Sequence, residues 1–326
     1  MVAAEGEAAV VAAHRARAFG LDIEASFPAP GLPAADGEPA GRPTRVDLVD
    51  AAEIDRDWPA GEAERVLEER FDGGSAGDPA RTIDAHPVHG FRLYARHFGL
   101  AHISRDGTRV RCSPPDDEPW SWQRFLVGRI LPWAAVVQGL EAFHASGVTV
   151  GGRAVAFVGP TGAGKTSLAI RLVAMGERFL TDDVLSVESR DGELLAHPGA
   201  GIAAVRDAER RLIAESTWSG LGAELGHSGK TYLELPRPHG PAPLAAIYFL
   251  RLGGGEPIER LDPDPRLLLG STFVLGVKSP ERLRNQLDVC ARIGESVPLF
   301  ALRISPDVGS QQLAELVLGH AREVVA

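Results

Sequence analysis

The sequence predicts an α/β protein in two parts, a smaller α+β domain at the N-terminus and a larger α/β domain at the C-terminus. The chain has 326 residues, a length typical of about two domains. Residues 89–112 contain short alternating segments with turn signals, which are typical of hairpins. Beyond residue 144, apolar runs typical of buried strands alternate with helical patterns. The proline-rich break at 114–117 indicates a domain boundary, so the predicted domains are residues 1–118 and 119–326.

Composition excludes several classes of protein. The net charge of −10 makes the chain a poor general nucleic-acid binder, although a local basic patch stays open. Two cysteines, Cys112 and Cys290, exclude a disulfide scaffold, and no cysteine or histidine spacing suggests zinc. Glu5 and Glu7 stand where a signal peptide needs basic residues, and the uncharged stretches are too short to span a bilayer. We therefore expect a soluble cytoplasmic protein with no membrane partner and no nucleic-acid partner.

The N-terminal domain combines helical and strand signals. Asp106-Gly107 is a strong hairpin turn between two alternating segments. The predicted elements, in order, are an alanine-rich helix over 2–18, a loop-rich stretch over 20–60 with a short strand at 45–49, a short helix over 63–71, a linker over 72–79, and strands at 91–95, 100–103 and 108–111.

The C-terminal domain begins with a long apolar helix over 119–143, which we interpret as a core helix with a kink at Pro132. The strand at 154–158 is a continuous apolar run, as in a strand buried on both faces. Ser279 and Pro280 are a helix N-cap and first-turn pair. The predicted elements after the first helix are strands at 154–158, 178–181, 245–252 and 299–304, and helices at 167–175, 279–293 and 309–325.

One motif carries specific chemistry, because the segment from Gly159 to Thr166 fits G-x-x-x-x-G-K-[ST], the phosphate-binding loop or P-loop. Glycines allow backbone N–H groups to wrap around a phosphate, and the helix that follows directs its N-terminal dipole at the same group. Thr166 offers a hydroxyl to Mg²⁺. The predicted nucleotide-binding residues are Gly159, Pro160, Thr161, Gly162, Ala163, Gly164, Lys165, Thr166 and Ser167.

Lysine is rare in this chain, so the presence of a lysine in the motif is informative about its role. Only three of the 34 basic residues are lysine, namely Lys165, Lys230 and Lys278. A lysine is a compact charge on a flexible stem, which suits the β- and γ-phosphate oxygens better than a planar guanidinium. We therefore predict that Lys165 binds phosphate.

A pair of adjacent carboxylates, Asp182 and Asp183, directly follows the predicted strand at 178–181. In a doubly wound sheet, this strand ends at the same edge as the P-loop. One carboxylate can hold Mg²⁺ and the other can accept a proton from an attacking hydroxyl. The alternative interpretation is a solvated loop pair, as we expect for Asp116 and Asp117.

The segment VAFVGPTGAGKTSLAIRLVAMGERFLTDDVLSVE resembles the bacterial HPr kinase/phosphorylase family, in which a P-loop, one helix and a strand ending in paired aspartates occur in this order. The resemblance covers residues 144–188 and implies a P-loop kinase domain with a fold related to phosphoenolpyruvate carboxykinase. It implies that Lys165 binds phosphate, that Thr166 and an aspartate, assigned as Asp183, bind Mg²⁺, and that Asp182 or Asp183 is the general base. His144 matches a histidine upstream of the family's P-loop, so its implied place is near the phosphates; the alternative is a helix-end or core histidine.

The resemblance has limits that bear on the acceptor. We do not find the family's second signature within 195–215, nor its Arg- and Asn-containing loop near the C-terminus, so HPr as acceptor and the reverse reaction are not implied. In domain style the chain is similar to HPr kinase-like proteins that phosphorylate precursor peptides. Family members form hexamers, which makes a homo-oligomer an open alternative.

These observations predict an ATP- and Mg²⁺-dependent kinase whose acceptor is a serine of a protein or peptide. The alternatives are a kinase for a small hydroxyl compound and a nucleotide-responsive regulatory protein without transfer chemistry. Lys230 is a candidate for phosphate or substrate contact and equally for a turn lysine. We assign no role to the basic residues of two predicted surface clusters, which are Arg206, Arg210 and Arg211, and Arg282 and Arg284.

Overall fold

The computed structural model describes residues 13–70, 79–115, 119–227, 229–273, 276–305 and 308–326. Across these residues, the protein is a mixed α/β structure with several sheets. The predicted linker at 72–79 and the Asp116-Asp117 pair lie almost entirely outside the described residues. No helix of the described ranges is both long enough and apolar enough to cross a membrane.

The first sheet is formed by strands that precede residue 114, in the order β1-β2-β3-β8-β7-β6-β5-β4. Its strands are β1 (His14–Ala18), β2 (Leu21–Ala25), β3 (Arg42–Leu48), β4 (Glu64–Glu69), β5 (Arg81–His86), β6 (Gly90–Ala95), β7 (Gly99–Ile103) and β8 (Arg109–Ser113). The helix α1 (Ala51–Asp57) lies between β3 and β4. The predicted strands at 91–111 and the Asp106-Gly107 turn are confirmed.

Two predicted helices of this region are wrong. Residues 14–18 form strand β1, where Ala16 and Ala18 are buried with period two, and residues 2–12 of the predicted helix lie outside the described residues. Phe19 and Gly20 both have positive φ, which is the geometry of a tight hairpin turn into β2. Residues 64–69 of the helix predicted over 63–71 form strand β4, which pairs with β5. Strand pairing overrides a helix propensity that is weak in isolation.

A helical segment follows the first sheet and packs on it. It consists of α2 (Pro119–Phe125), a π-helical turn (Leu126–Ile130) and α3 (Leu131–Val137). Its apolar residues share one core with those of the first sheet, which confirms the interpretation as a core helix. The helix ends at Val137 rather than 143, because residues 141–143 pair as a strand. The π-helical turn ends two residues before Pro132, whose missing N–H removes a helical hydrogen bond.

The second sheet has the order β12-β10-β11-β18-β14-β13-β9; in addition, β20 pairs with β18, and β19 pairs with β20. Its strands are β9 (Glu141–Phe143), β10 (Ala145–Val150), β11 (Arg153–Val158), β12 (Arg178–Thr181), β13 (Leu185–Arg190), β14 (Glu193–His197), β18 (Ala242–Leu252), β19 (Ile258–Arg260) and β20 (Leu299–Ile304). The four strands predicted in this region are confirmed. The sheet is mixed rather than doubly wound, because β10 pairs antiparallel with both β11 and β12. Strands β11 and β12 still run in the same direction and end at the same edge.

Helices cover both faces of the second sheet. One face packs on α4 (Lys165–Ala174) and α9 (Ser310–Val325), and the other on α7 (Pro265–Leu269) and α8 (Pro280–Ser296). A third sheet of β15 (Ile202–Val205), β17 (Thr231–Glu234) and β16 (Ala223–His227) packs with α6 (Glu215–Leu221), and the short helix α5 (Asp207–Arg210) lies between β15 and α6. The predicted helices at 167–175, 279–293 and 309–325 are confirmed to within a few residues, and Ser279 caps α8.

Arg282 is not a surface residue, contrary to the prediction. Its side chain is 5% exposed and donates a hydrogen bond of 2.7 Å to Glu141, which is fully buried. Burial raises the pKa of Glu141 to about 7, against the opposing charge of Arg282. The pair links α8 to β9, whereas Arg284 is exposed as predicted. Cys112 and Cys290 are buried and form no disulfide.

Candidate active site

A glycine-rich loop, residues 159–166, joins β11 to α4. Gly162 and Gly164 have φ of +88° and +95°, values that residues with a Cβ adopt only with strain. Lys165 is the first residue of α4, so the loop lies at the N-terminus of a ten-residue helix that the sheet holds in place. The strand, loop and helix therefore occur in the arrangement that suits an anion.

Lys165 is turned inward and is only 7% exposed. Its Nζ donates to the carbonyl oxygens of Gly159 at 2.9 Å and Pro160 at 3.3 Å, and lies 3.1 Å from Nε2 of His144. Burial lowers the pKa of Lys165, while the charges of Asp182 and Asp183 oppose this shift. The side chain is therefore held ready at the loop by neutral acceptors.

Asp182 follows β12 and is surrounded by hydrogen-bond donors. Its Oδ1 accepts from the hydroxyls of Ser146 at 2.5 Å and Thr166 at 2.8 Å, and its Oδ2 accepts from the backbone N–H of Ala204 at 3.1 Å. Burial raises the pKa of Asp182, and the three donors act in the opposite direction. A buried carboxylate beside a threonine hydroxyl is a set of hard oxygen donors that fits Mg²⁺.

Asp183 adopts a strained backbone conformation with φ of +67°. The N–H of Val184 donates to the carbonyl oxygen of Asp182 at 2.8 Å, an i to i+2 contact that characterises a γ-turn. The Asp183 carboxylate pairs with Arg129 at 2.7 Å and with Nδ1 of His144 at 3.0 Å. Burial acts to raise the pKa of Asp183, but the hydrogen bond from His144 and the charge of Arg129 hold it well below its usual range.

His144 lies between β9 and β10 and contacts both halves of the site. Its Nδ1 lies 3.0 Å from the carbonyl oxygen of Asp183, and its Nε2 faces Lys165. Because the lysine ammonium is a donor only, this network assigns the imidazole proton to Nδ1. The side chain is one-third exposed, lies between two strands rather than at a helix end, and contacts both Lys165 and Asp183.

One cavity of about 680 Å³ joins these groups. Most of the residues singled out in the sequence line it, namely His144, Thr161, Gly162, Gly164, Lys165, Thr166, Ser167, Asp182 and Asp183. Gly159, Pro160 and Ala163 do not line it; the first two accept hydrogen bonds from Lys165, and Ala163 packs against the core beneath the loop. Lys230 also lines the cavity, which favours the contact interpretation over the turn lysine.

Several site residues were not identified from the sequence. Ser146 contacts Asp182, Arg129 contacts Asp183, and Arg206 lies over the loop, where a Cβ added to Gly162 would come within 3.5 Å of its guanidinium. Arg124 lines the cavity as well. A signal existed for Arg124 and Arg129, because both are charged residues in an otherwise apolar helix; no local signal distinguishes Ser146 or Arg206.

No protein-family model matches this chain, and no curated protein matches it. Among solved structures, it is similar to that of the HPr(Ser) kinase/phosphatase from Coxiella burnetii at 14% sequence identity. The similarity covers 56% of this chain and 89% of that chain, with a TM-score of 0.32.

Proposed function

We propose that this chain is an ATP- and Mg²⁺-dependent phosphotransferase of the P-loop kinase type, which transfers the γ-phosphoryl group to a hydroxyl, most simply a serine of a protein or peptide. The observation that carries the proposal is the contact between the Thr166 hydroxyl, at the end of the glycine-rich loop, and the Asp182 carboxylate, 2.8 Å away. Lys165, Asp183 and His144 adjoin this contact in the same cavity. Phosphate-binding, metal-binding and proton-accepting groups are therefore within reach of one phosphoryl group.

The nucleotide phosphates fit the glycine-rich loop. We assign the β- and γ-phosphate oxygens to Lys165, which the network with His144 and the loop carbonyls holds at the loop. Arg206 adds a second positive charge above Gly162. These groups position the phosphates and offset charge that spreads over the transferred group.

Thr166 and Asp182 fit magnesium best. The sequence assigned the metal to Thr166 and Asp183, but the hydroxyl of Thr166 contacts Asp182, so we propose Asp182 as the carboxylate on the metal side. When bound, Mg²⁺ would neutralise charge on the phosphate oxygens. Ser146 and Ala204 hold the Asp182 carboxylate in one orientation.

Asp183 is the proposed proton acceptor. Arg129 and His144 keep it ionised, and its side chain is 43% exposed toward the cavity, so an acceptor hydroxyl can approach it. The acceptor oxygen forms a bond to the γ-phosphorus, the bond from this phosphorus to the β,γ-bridging oxygen breaks, ADP leaves, and the hydroxyl proton passes to Asp183. His144 is a positioning residue that orients Lys165 and Asp183.

Incubation of the purified protein with γ-³²P-labelled ATP, Mg²⁺ and a fractionated cell extract tests the proposal. We expect label in a polypeptide with the native protein and none with Asp182→Asn. Label confined to small molecules would replace the peptide acceptor by a small hydroxyl compound. If no labelled product formed by the native protein is lost with Asp182→Asn, phosphoryl transfer is refuted, and a regulatory nucleotide-binding protein is the alternative that is left.

A further inference from the structure

The cavity extends beyond the residues that the proposed nucleotide would occupy. From the aspartate pair it continues along the helical segment 119–137 to the first sheet, where the ends of β4 and β5 and the turn between β6 and β7 line it. The first sheet and the second sheet therefore contribute different parts of its lining. Since the glycine-rich loop belongs to the second sheet, the wall from the first sheet is available to the acceptor.

The cavity is positively charged in a chain whose net charge is −10. Among the described residues, eight arginine and lysine side chains line it against three carboxylates. Four of the eight surround the loop and the aspartates, namely Arg129, Lys165, Arg206 and Lys230. The other four lie toward the first sheet, namely Arg70, Arg81, Arg96 and Arg124.

Arg124 differs from its paired neighbours on this wall. Arg70 pairs with Glu68 at 2.8 Å, and Arg81 pairs with Glu69. The Arg124 guanidinium lies over the rings of Phe98 and Tyr232, with its central carbon 5.4 and 4.8 Å from their centroids. It donates a hydrogen bond to the Tyr232 hydroxyl, which is neutral. No described carboxylate pairs with it.

The rings hold Arg124 firmly in place. Phe98 stacks on Phe125 at 5.3 Å, and Tyr232 packs edge-on against Trp120 at the same distance. These contacts come from the first sheet, the helix and the third sheet, so the guanidinium is fixed by three separate elements. A guanidinium that is fixed at a cavity wall, with no carboxylate partner among the described residues, is a preorganised anion-binding group.

We propose that the acceptor carries an anionic group, a carboxylate or a phosphate, which binds Arg124 while the acceptor hydroxyl lies at Asp183. The inference rests on the proposed function and specifies its substrate class. A neutral acceptor would leave the charge of Arg124 unpaired on binding, whereas an anionic one forms a charge-assisted hydrogen bond with it. The acceptor is therefore an acidic peptide or an anionic hydroxyl compound.

Matched acceptors that differ in one charge test this inference. The peptide arm uses serine peptides with randomised flanks, in which one flanking position at a time is fixed as glutamate or as glutamine. A further set carries phosphoserine at that position, which distinguishes phosphate from carboxylate. The small-molecule arm compares glycerate with glycerol. We expect kcat/KM for the anionic member to exceed that for the neutral member by about tenfold to a hundredfold, at one peptide position or for glycerate.

Arg124→Met removes the charge and keeps an apolar stem against the rings. We expect the preference for the anionic acceptor to disappear while the KM for ATP stays unchanged. Arg124→Lys keeps the charge without the planar fork and should retain part of the preference, and it replaces the methionine variant if that variant does not fold. Arg284→Met, on the exposed face of α8, is the matched control and should behave as the native protein.

The outcomes separate the inference from the proposed function. Equal kcat/KM for charged and neutral acceptors in an active native protein would overturn the inference alone. A preference for the anionic acceptor that survives in Arg124→Met would also overturn it. Absence of transfer to every acceptor, with no label in the extract either, would overturn the proposed function and the inference together.

Discussion

Replacing Asp182 with asparagine is the most informative single change, because it removes one charge and almost no volume. The carboxylate accepts three hydrogen bonds on its two oxygens, from Ser146, Thr166 and the backbone of Ala204. An amide offers one accepting oxygen and one donating NH₂ group. If the amide oxygen stays with the two hydroxyls, the NH₂ group faces the N–H of Ala204, and two donors oppose each other.

The expected loss of stability follows from this geometry. One buried N–H loses its acceptor, which costs about 1 to 3 kcal/mol. Removal of a buried charge offsets part of this cost, since burial already raises the pKa of Asp182. We therefore expect Asp182→Asn to lower the free energy of unfolding by about 1 to 2 kcal/mol, a change that leaves the protein folded.

The expected loss of activity is much larger. If Asp182 holds the metal beside Thr166, its loss should reduce phosphoryl transfer by at least about a hundredfold, while ATP affinity changes little. Urea unfolding, an ATP titration and the rate of ³²P transfer measure the three quantities. Asp191→Asn is the control, because Asp191 lies in the exposed turn between β13 and β14 with φ of +51°, a conformation that asparagine tolerates. Unchanged transfer in a folded Asp182→Asn variant would refute the assignment.

Two further predictions concern the loop and the pH dependence of stability. Lys165→Ala should raise the dissociation constant for ATP by at least about tenfold and abolish phosphoryl transfer. The control is Lys278→Ala, which replaces an exposed lysine and should change neither quantity. Unaltered ATP binding and turnover in Lys165→Ala would contradict the phosphate-binding role. Hydrogen bonding from His197 and Arg42 lowers the pKa of Glu188 from 4.5 to about 2, against the opposing effect of burial. A carboxyl whose pKa is lower in the folded state than in the unfolded state stabilises the fold above pH 4.5, and this contribution is lost as the pH falls through about 2. The contribution to the free energy of unfolding is about 3 kcal/mol before solvent screening and about 1 to 2 kcal/mol after it. Urea unfolding at pH 7 should therefore show that Glu188→Gln has a lower free energy of unfolding than the native protein. At pH 3 this difference between the two proteins should be at most half as large. An equal difference at both pH values would show that Glu188 does not contribute in this way.

The elements that the sequence predicted well are those encoded by adjacent residues. The glycine-rich loop, the strand before it and the aspartates after β12 are each contiguous, and local rules are enough to find them. Their proximity followed from the expectation that β11 and β12 end at one sheet edge. This expectation holds although the sheet is mixed. Because β10 pairs antiparallel with both β11 and β12, these two strands run in the same direction.

The elements that the sequence did not reveal depend on segments distant in the chain. Residues 14–18 and 64–69 favour helix in isolation, and only their pairing with β2 and β5 makes them strands. The burial of Arg282 requires Glu141, which lies 141 positions earlier. Arg124 similarly acquires its surroundings from Phe98, in the turn between β6 and β7, and from Tyr232, on β17. Long-range pairings of this kind have no signature in a single sequence.

Strand β10 lies between β11 and β12 and therefore fixes the distance between the ends of these two strands, after which the glycine-rich loop and the aspartates follow. Hydrogen-bonded strands lie about 4.8 Å apart, so the ends of β11 and β12 are separated by roughly 10 Å. A gap of this size is too wide for the two backbones to touch, and the side chains of Thr166 and Asp182 close it from opposite sides. The pairing of Gly147 with Ala156 on one side and Thr181 on the other sets the level at which they meet. A slip of one residue in either pairing would move the carboxylate about 3.3 Å along the strand, farther than a hydrogen bond can follow.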